Sequence, residues 1–335
     1  MRRICLFSLS VFLLAACLVP SAYSAREVVV YTSVDQIFSE PVLEEFEKAT
    51  GIATHVLYDV EASKTVGLVN RLIAEKKQPR CDVFWNSEVS RTIVLEQKDV
   101  LAPYRSPHWD AYPAHMKDPE YYWTGFAARS RVLLVNTDML TPEQYPDSMF
   151  ELTEDKWKGK VTMAYPLFGT TAMHVAAWWS TLGPEKTKDY LRDLKDNDVL
   201  IVDGNSVTRD LVVEGKVPVG VTDTDDAAVA VDSEAPVKVI FPDQGEDQIG
   251  TLLIPNTVAM VKGAPHPDEA KVLIDYLLSA EMERRLASGE SAQMPLRKDI
   301  TASEAGAIKS MEVDFEKVAD YLEPSARFCQ ELFVR

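Results

Sequence analysis

Three aspartates fall within four residues of the chain, Asp223, Asp225 and Asp226, in the run Val221-Thr222-Asp223-Thr224-Asp225-Asp226. Carboxylates this dense suit a hard cation, because Fe³⁺, Ca²⁺ and Mn²⁺ all favour oxygen ligands, and they suit a cationic organic group such as an amine equally well. A plainer role is also open to them. Asp225 and Asp226 precede a helix expected to begin at Ala227, where the helix dipole favours acids. The run is not an EF-hand loop, since the glycine and the distal glutamate are missing at the required spacing.

Two other segments offer hydrogen-bond donors. Gly169-Thr170-Thr171 brings hydroxyls and free backbone N–H groups to a helix start, which fits either an anion or an ordinary threonine cap. Ser63-Lys64-Thr65 is of the same kind, with Lys64 either neutralising a phosphate or carboxylate or pointing into solvent. If both helix starts and the aspartates face one cleft, a zwitterion such as an aminophosphonate fits, and so does a metal with a bridging anion. His55, His108, His115, His174 and His266 are scattered and show no metal-ligand spacing. The chain has no Gly-x-Ser-x-Gly elbow, His-Glu-x-x-His helix or P-loop. Asp223-x-Asp225 or Glu88 would have to serve any exported hydrolase, a second class of function with little else behind it.

The elements that must position these residues alternate. Val28–Tyr31 reads as a strand, and Ser39-Glu40-Pro41 opens a helix that closes at Gly51. Ile52–Tyr58, Asp82–Trp85, Arg131–Val135, Val199–Val202 and Val217–Val221 are further strands, with helices opening near Glu61, Glu88, Gly169 and Ser206. Such alternation indicates βαβ units and a parallel sheet, with ligands at the carboxyl ends of strands. Ala102–Tyr122 carries Pro103, Pro107 and Pro113 and is expected to be irregular. Leu252–Val261 is a late strand able to return the chain to its first half. Trp178 and Trp179 occupy adjacent helical positions, so one is expected off the buried stripe.

At 335 residues and 46% apolar composition the chain suits two α/β lobes with a ligand cleft between them. Arg2 and Arg3, an apolar run to Val19 and Pro20-Ser21-Ala22-Tyr23-Ser24 read as an export signal over residues 1–24. The alternative is lipidation at Cys17 in Leu14-Ala15-Ala16-Cys17, which would tether the protein to a membrane. Removing the leader takes the net charge from -17 to about -19. That disfavours nucleic acid and anionic lipid as partners. Export places Cys81 and Cys329 in an oxidising compartment, as one disulfide or as two buried thiols.

The order of Val28-Val29-Val30-Tyr31, Cys81-Asp82-Val83-Phe84-Trp85, Ala128-Arg129-Ser130-Arg131-Val132, Trp157-Lys158-Gly159 and Gly215-Lys216-Val217-Pro218-Val219-Gly220 resembles the ferric-ion-binding proteins, the periplasmic substrate-binding components of iron(III) ABC importers. The resemblance covers nearly the whole mature chain. It implies a type II periplasmic-binding-protein clamshell, α/β, each lobe a sheet flanked by helices. Residues 27–127 plus 252–296 would form lobe 1, and 128–251 plus 297–335 lobe 2 with C-terminal helices. It also implies a periplasmic monomer without enzymatic activity or cofactor, delivering its cargo to a permease. By the same resemblance Asp35, Glu88, Asp225 and Asp226 hold a metal, Fe(III) or another hard cation, as cargo. Gly169, Thr170 and Thr171 form an anion site lined by Asn205 and Asp223. Where the family has two adjacent tyrosines on iron, this chain has Asp225 and Asp226, which makes the site all-carboxylate.

Overall fold

The computed structural model describes residues 26–59, 65–289, 293–300 and 308–334. The leader, Cys17, Ser63 and Lys64 lie outside the described residues.

The first half is built on β1 (Glu27–Thr32), β2 (Ala53–Tyr58) and β3 (Val83–Asn86), with β1 parallel to both others. Val28, Val30 and Phe84 are fully buried, as expected for strands covered on both faces. Between them run α1 (Gln36–Thr50) and α2 (Val66–Glu75), and α3 (Val89–Gln97) follows β3. Helix α1 begins earlier than its sequence suggests, at Gln36 rather than near Pro41, so the proline lies in its second turn. Pro41 and Ile37, the residue whose carbonyl loses its N–H partner, are both on the exposed face of the helix. Gly51, at φ 68, closes the helix in the left-handed conformation.

After the short strand β4 (Leu101–Ala102) the segment to Tyr122 is irregular. Strand β5 (Thr124–Asn136) then extends well beyond the expected five residues. Strands β6 (Val161–Ala164), β7 (Leu200–Val202), β8 (Val219–Asp223) and β9 (Val237–Ile240) complete a second sheet region. Its helices are α4 (Gly169–Leu182), α5 (Pro184–Asp196), α6 (Asn205–Val213) and α7 (Thr224–Asp232). Trp178 and Trp179 are both buried, at 2% and 5% exposure, against the expectation that one would lie off the buried stripe. Helix α4 is covered from two directions, so opposite faces are both interior: Trp178 meets Tyr190 of α5, and Trp179 meets Tyr321 and Phe328 further along the chain.

The chain returns through β10 (Leu253–Val261), antiparallel to β3 on one side and to β5 on the other. The sheet order is therefore β2-β1-β3-β10-β5-β8-β6-β7, with β4 on β10 and β9 on β5. Strand β5 belongs to both halves: Thr124–Ser130 pairs with β10, and Arg131–Asn136 pairs with β8 and β9. Helices α8 (Pro267–Leu277), α9 (Ala280–Ser288) and α10 (Phe315–Phe333) follow. Helix α10 packs on both α4 and α3 and so touches both halves. Cys81 and Cys329 are buried free thiols with no disulfide between them.

Candidate functional site

Five helices begin where a strand ends: α1 after β1 and α3 after β3 in the first half, and α4 after β6, α6 after β7 and α7 after β8 in the second. The strands of the second set run antiparallel to β1 and β3, so the two sets of carboxyl ends converge on the β5 crossover from opposite directions. A cleft opens where they meet, lined by Asp35 and Ser87 from the first half and by Tyr165, Gly169, Asn205 and Asp226 from the second. Arg129 forms part of its floor, with Thr170, Thr171, Asp203 and Asp223 beside it. Helices α4 and α6 have Phe168 and Gly204 at their caps, and neither receives a side-chain cap. Their first N–H groups therefore point at the cleft without a capping oxygen, where the dipole favours a negative group. Gly169 has φ +54, a conformation that costs a side-chain-bearing residue energy, and it sets the sharp entry into α4.

Arg131 and Asp223 are direct partners in the β5–β8 ladder, and their side chains meet at 2.6 Å. Asp223 also accepts from the Thr170 hydroxyl at 2.5 Å and from Asn205 Nδ2 at 2.9 Å. Arg131 Nη1 reaches Thr170 Oγ1 at 3.2 Å and Asn205 Oδ1 at 3.1 Å. One carboxylate thus ties the starts of α4 and α6 to the end of β8. His174, one turn into α4, is held well below its usual pKa by burial and by the Arg131 charge, so it stays neutral.

The other two aspartates also meet arginines. Arg129 Nη1 lies 2.9 Å from Asp225 Oδ2 with both side chains buried, and Arg209 Nη1 lies 3.3 Å from Asp226 Oδ1. Burial works to strip the proton from Arg129, but Asp225, Asp223, Asp35 and Asp226 outweigh it and hold the guanidinium above its usual range. Asp223, Asp225 and Asp226 each offer an oxygen, all within 4.8 Å of one another, so the trio has the spacing for a cation. Two of its charges are met by Arg131 and Arg129, and the third by Arg209, which Asp226 shares with Asp210, the latter at 2.8 Å. The trio does not act as an end cap either: α7 starts at Thr224, three residues earlier than expected, so Asp225 and Asp226 lie in its first turn, and Asp223 makes no side-chain cap bond.

Glu88 stands apart from this group. Its carboxylate caps α3, accepting the N–H groups of Ser90 at 2.7 Å and Arg91 at 3.2 Å, and also the Ser90 hydroxyl. Burial pushes it above the usual carboxylate range despite these donors and Arg91. Of the sequence candidates, the structure therefore brings together Asp35, Gly169, Thr170, Thr171, Asn205, Asp223 and Asp226 on the cleft, with Asp225 behind Arg129. It places Glu88 in a helix cap. Arg129, Arg131 and Asp203 are cleft or cleft-supporting residues that the sequence does not single out, whereas Tyr165, an aromatic divided in sequence between core and cleft, lines the cleft. The signal for the arginines was present: two charges at alternate positions of a strand share one face, and in a strand buried throughout they require partners.

A family model described as a bacterial extracellular solute-binding protein matches residues 93–315. The Iron uptake protein A1 of Synechocystis is 24% identical over 321 residues, covering 91% of this chain and 87% of that one. A putative 2-aminoethylphosphonate-binding periplasmic protein of Salmonella typhi is 28% identical over 304 residues, covering 88% and 86%. The crystal structure of iron-bound HitA from Pseudomonas aeruginosa superposes with a TM-score of 0.82 at 20% identity, over 92% of this chain and 99% of that one. The fold is thus that of the type II periplasmic binding proteins, a two-lobed α/β clamshell. Among the described residues no helix is long and apolar enough to cross a membrane.

Proposed function

The chain belongs to the bacterial extracellular solute-binding proteins, and from that premise we propose that it is the exported capture component of an ABC importer whose cargo carries a phosphate or phosphonate group. The observation that carries this is the pairing of each clustered aspartate with an arginine beside two uncapped helix starts. A trivalent cation needs a surplus of anionic oxygens. Here Arg131 and Arg129 offset two of the trio and Arg209, shared with Asp210, offsets part of the third, while α4 and α6 present N–H groups and the Thr171 hydroxyl to an anion. Asp35 and Asp203 line the same cleft and suit an amino group on the same cargo, consistent with the name of the Salmonella relative. The lobes close on the cargo because contacts to both exist only when shut, and the closed form is presented to a membrane permease. Cargo leaves chemically unchanged.

A second reading keeps Fe(III) with a bridging anion as cargo, favoured by the 4.8 Å grouping of carboxylate oxygens and by the Synechocystis relative. A thermal-shift series separates the two, since a ligand that binds only the native state raises the melting point. Inorganic phosphate, methylphosphonate and 2-aminoethylphosphonate should stabilise the protein, and Fe(III)-citrate should not. The reverse pattern would reject the phosphorus reading in favour of the metal.

A further inference from the structure

Where β5 passes from one half of the molecule to the other, its ladder with β10 is broken. Register partners jump from Arg129↔Ile254 to Phe126↔Asn256, so Ala127 and Ala128 stand opposite the single residue Pro255. That is a bulge, and proline supplies no N–H to mend it. Ala127 sits at φ 44, a left-handed conformation that a residue with a Cβ adopts only when its surroundings hold it there.

What holds it is a set of buried side chains. The Ala127 N–H donates to Glu283 Oε1 of α9 at 3.1 Å, and the Ala127 carbonyl accepts from Asn256 Nδ2. The second Glu283 oxygen accepts the N–H of Leu296 at 3.0 Å, and Asn256 Nδ2 also meets Gln293 Oε1 at 2.7 Å. Asn256 Oδ1 then accepts from Arg129 Nη2 at 2.8 Å, while Nη1 of the same guanidinium holds Asp225. Glu283 and Asn256 are 0% exposed and Arg129 is 2% exposed, on the floor of the cleft. A continuous chain of hydrogen bonds therefore runs from cleft to crossover peptide to α9.

We propose that Asn256 and Glu283 are positioning residues that couple closure at the Ala127 crossover to the contacts Arg129 makes in the cleft. This rests on the reading that cargo sits in that cleft. The chemistry makes Glu283 sensitive to a single proton. Both its oxygens accept a backbone N–H, so converting one into a donor forfeits one of the two bonds, and Gln at this position does the same permanently. Burial pushes its carboxyl up to about 7. The groups that face it are the hydroxyl of Tyr112 and the guanidinium of Arg297, the latter paired with Asp299.

The test uses the full mature chain with 2-aminoethylphosphonate and inorganic phosphate as probes. Stopped-flow fluorescence gives on- and off-rates, and paired spin labels on the two halves give their separation. Glu283→Gln and Asn256→Ala should each raise the off-rate at least about tenfold and broaden the separation toward open forms. The wild-type off-rate should climb as pH falls from about 8 to about 6, with Glu283→Gln fast and flat across that range. Wild-type off-rates and separations in both folded variants would overturn the coupling. If the wild type binds neither probe, the cargo reading fails. The ligand-free separations then still decide the coupling, because unchanged distributions in both variants would refute it.

Discussion

Arg131 and Asp223 face each other across adjacent strands at 2.6 Å, and neither side chain has meaningful contact with solvent. The pair is the anchor of the cleft, because Asp223 also receives Thr170 from the start of α4 and Asn205 from the start of α6. Breaking it does more than remove one ion pair: it leaves a buried guanidinium uncompensated and frees two helix starts.

Asp223→Ala should therefore destabilise the protein by about 3–5 kcal/mol in a denaturant titration, the usual cost of removing one member of a buried pair. Adding Arg131→Met should recover part of that loss, since the orphaned charge goes with it. A double variant no more stable than Asp223→Ala would show that the guanidinium is not the source of the cost.

Thr171 contributes a hydroxyl beside the cleft with only a long 3.4 Å contact to Asn205, so it is available to an anion. Thr171→Ala should weaken binding of a phosphonate by about 10-fold, corresponding to the loss of one hydrogen bond to a charged group. Calorimetry measures it, and unchanged affinity would remove Thr171 from the site. Stability should hardly move.

Glu88 separates a capping role from a binding one. As the N-cap of α3 with its carboxylate on Ser90 and Arg91, its replacement by Ala should cost about 1–2 kcal/mol of stability. Cargo affinity should stay within about twofold. A large drop in affinity with unchanged melting would place Glu88 among the ligands.

Stability should fall as pH rises through neutrality. Glu96 and Glu283 are both pushed up to about 7, in each case chiefly by burial, and at Glu96 the carboxylates of Asp118, Glu316 and Glu120 add to it. Both bind a proton more tightly folded than unfolded, where a glutamate titrates near about 4.3. Their contribution is complete below that value and lost as pH climbs through about 7. His266, raised mainly by its hydrogen bond to Asp82, acts with the same sign. Melting temperature should drop between about pH 5 and about pH 8, less steeply in Glu96→Gln. A flat or rising profile would contradict the assignment.

Much of the framework was legible in the residues. The alternation of Val28–Tyr31, Ile52–Tyr58 and Asp82–Trp85 with helical stretches locates β1, β2 and β3 within a residue or two at most ends, because apolar runs bounded by turn residues have few other uses. The start of α1 was not, since Pro41 signals a first turn and the packing of Phe38 and Ser39, both buried, extends the helix ahead of it. The adjacent tryptophans misled for a similar reason: a periodic stripe assumes one buried face, and α4 has two.

For the site, residue types determined that acids, hydroxyls and helix starts would gather at strand ends, because that is where a parallel sheet leaves its loops. Charge balance was decided only by tertiary structure. Asp223, Asp225 and Asp226 read in the linear chain as ligands for a hard cation or an amine, or as acids at a helix start. Folding brings Arg131 across the ladder, Arg129 up from the crossover and Arg209 from α6. Electrostatic energy depends on distance through space rather than along the chain, so the partners that offset much of the charge of this acidic cluster were visible as residues but not as neighbours.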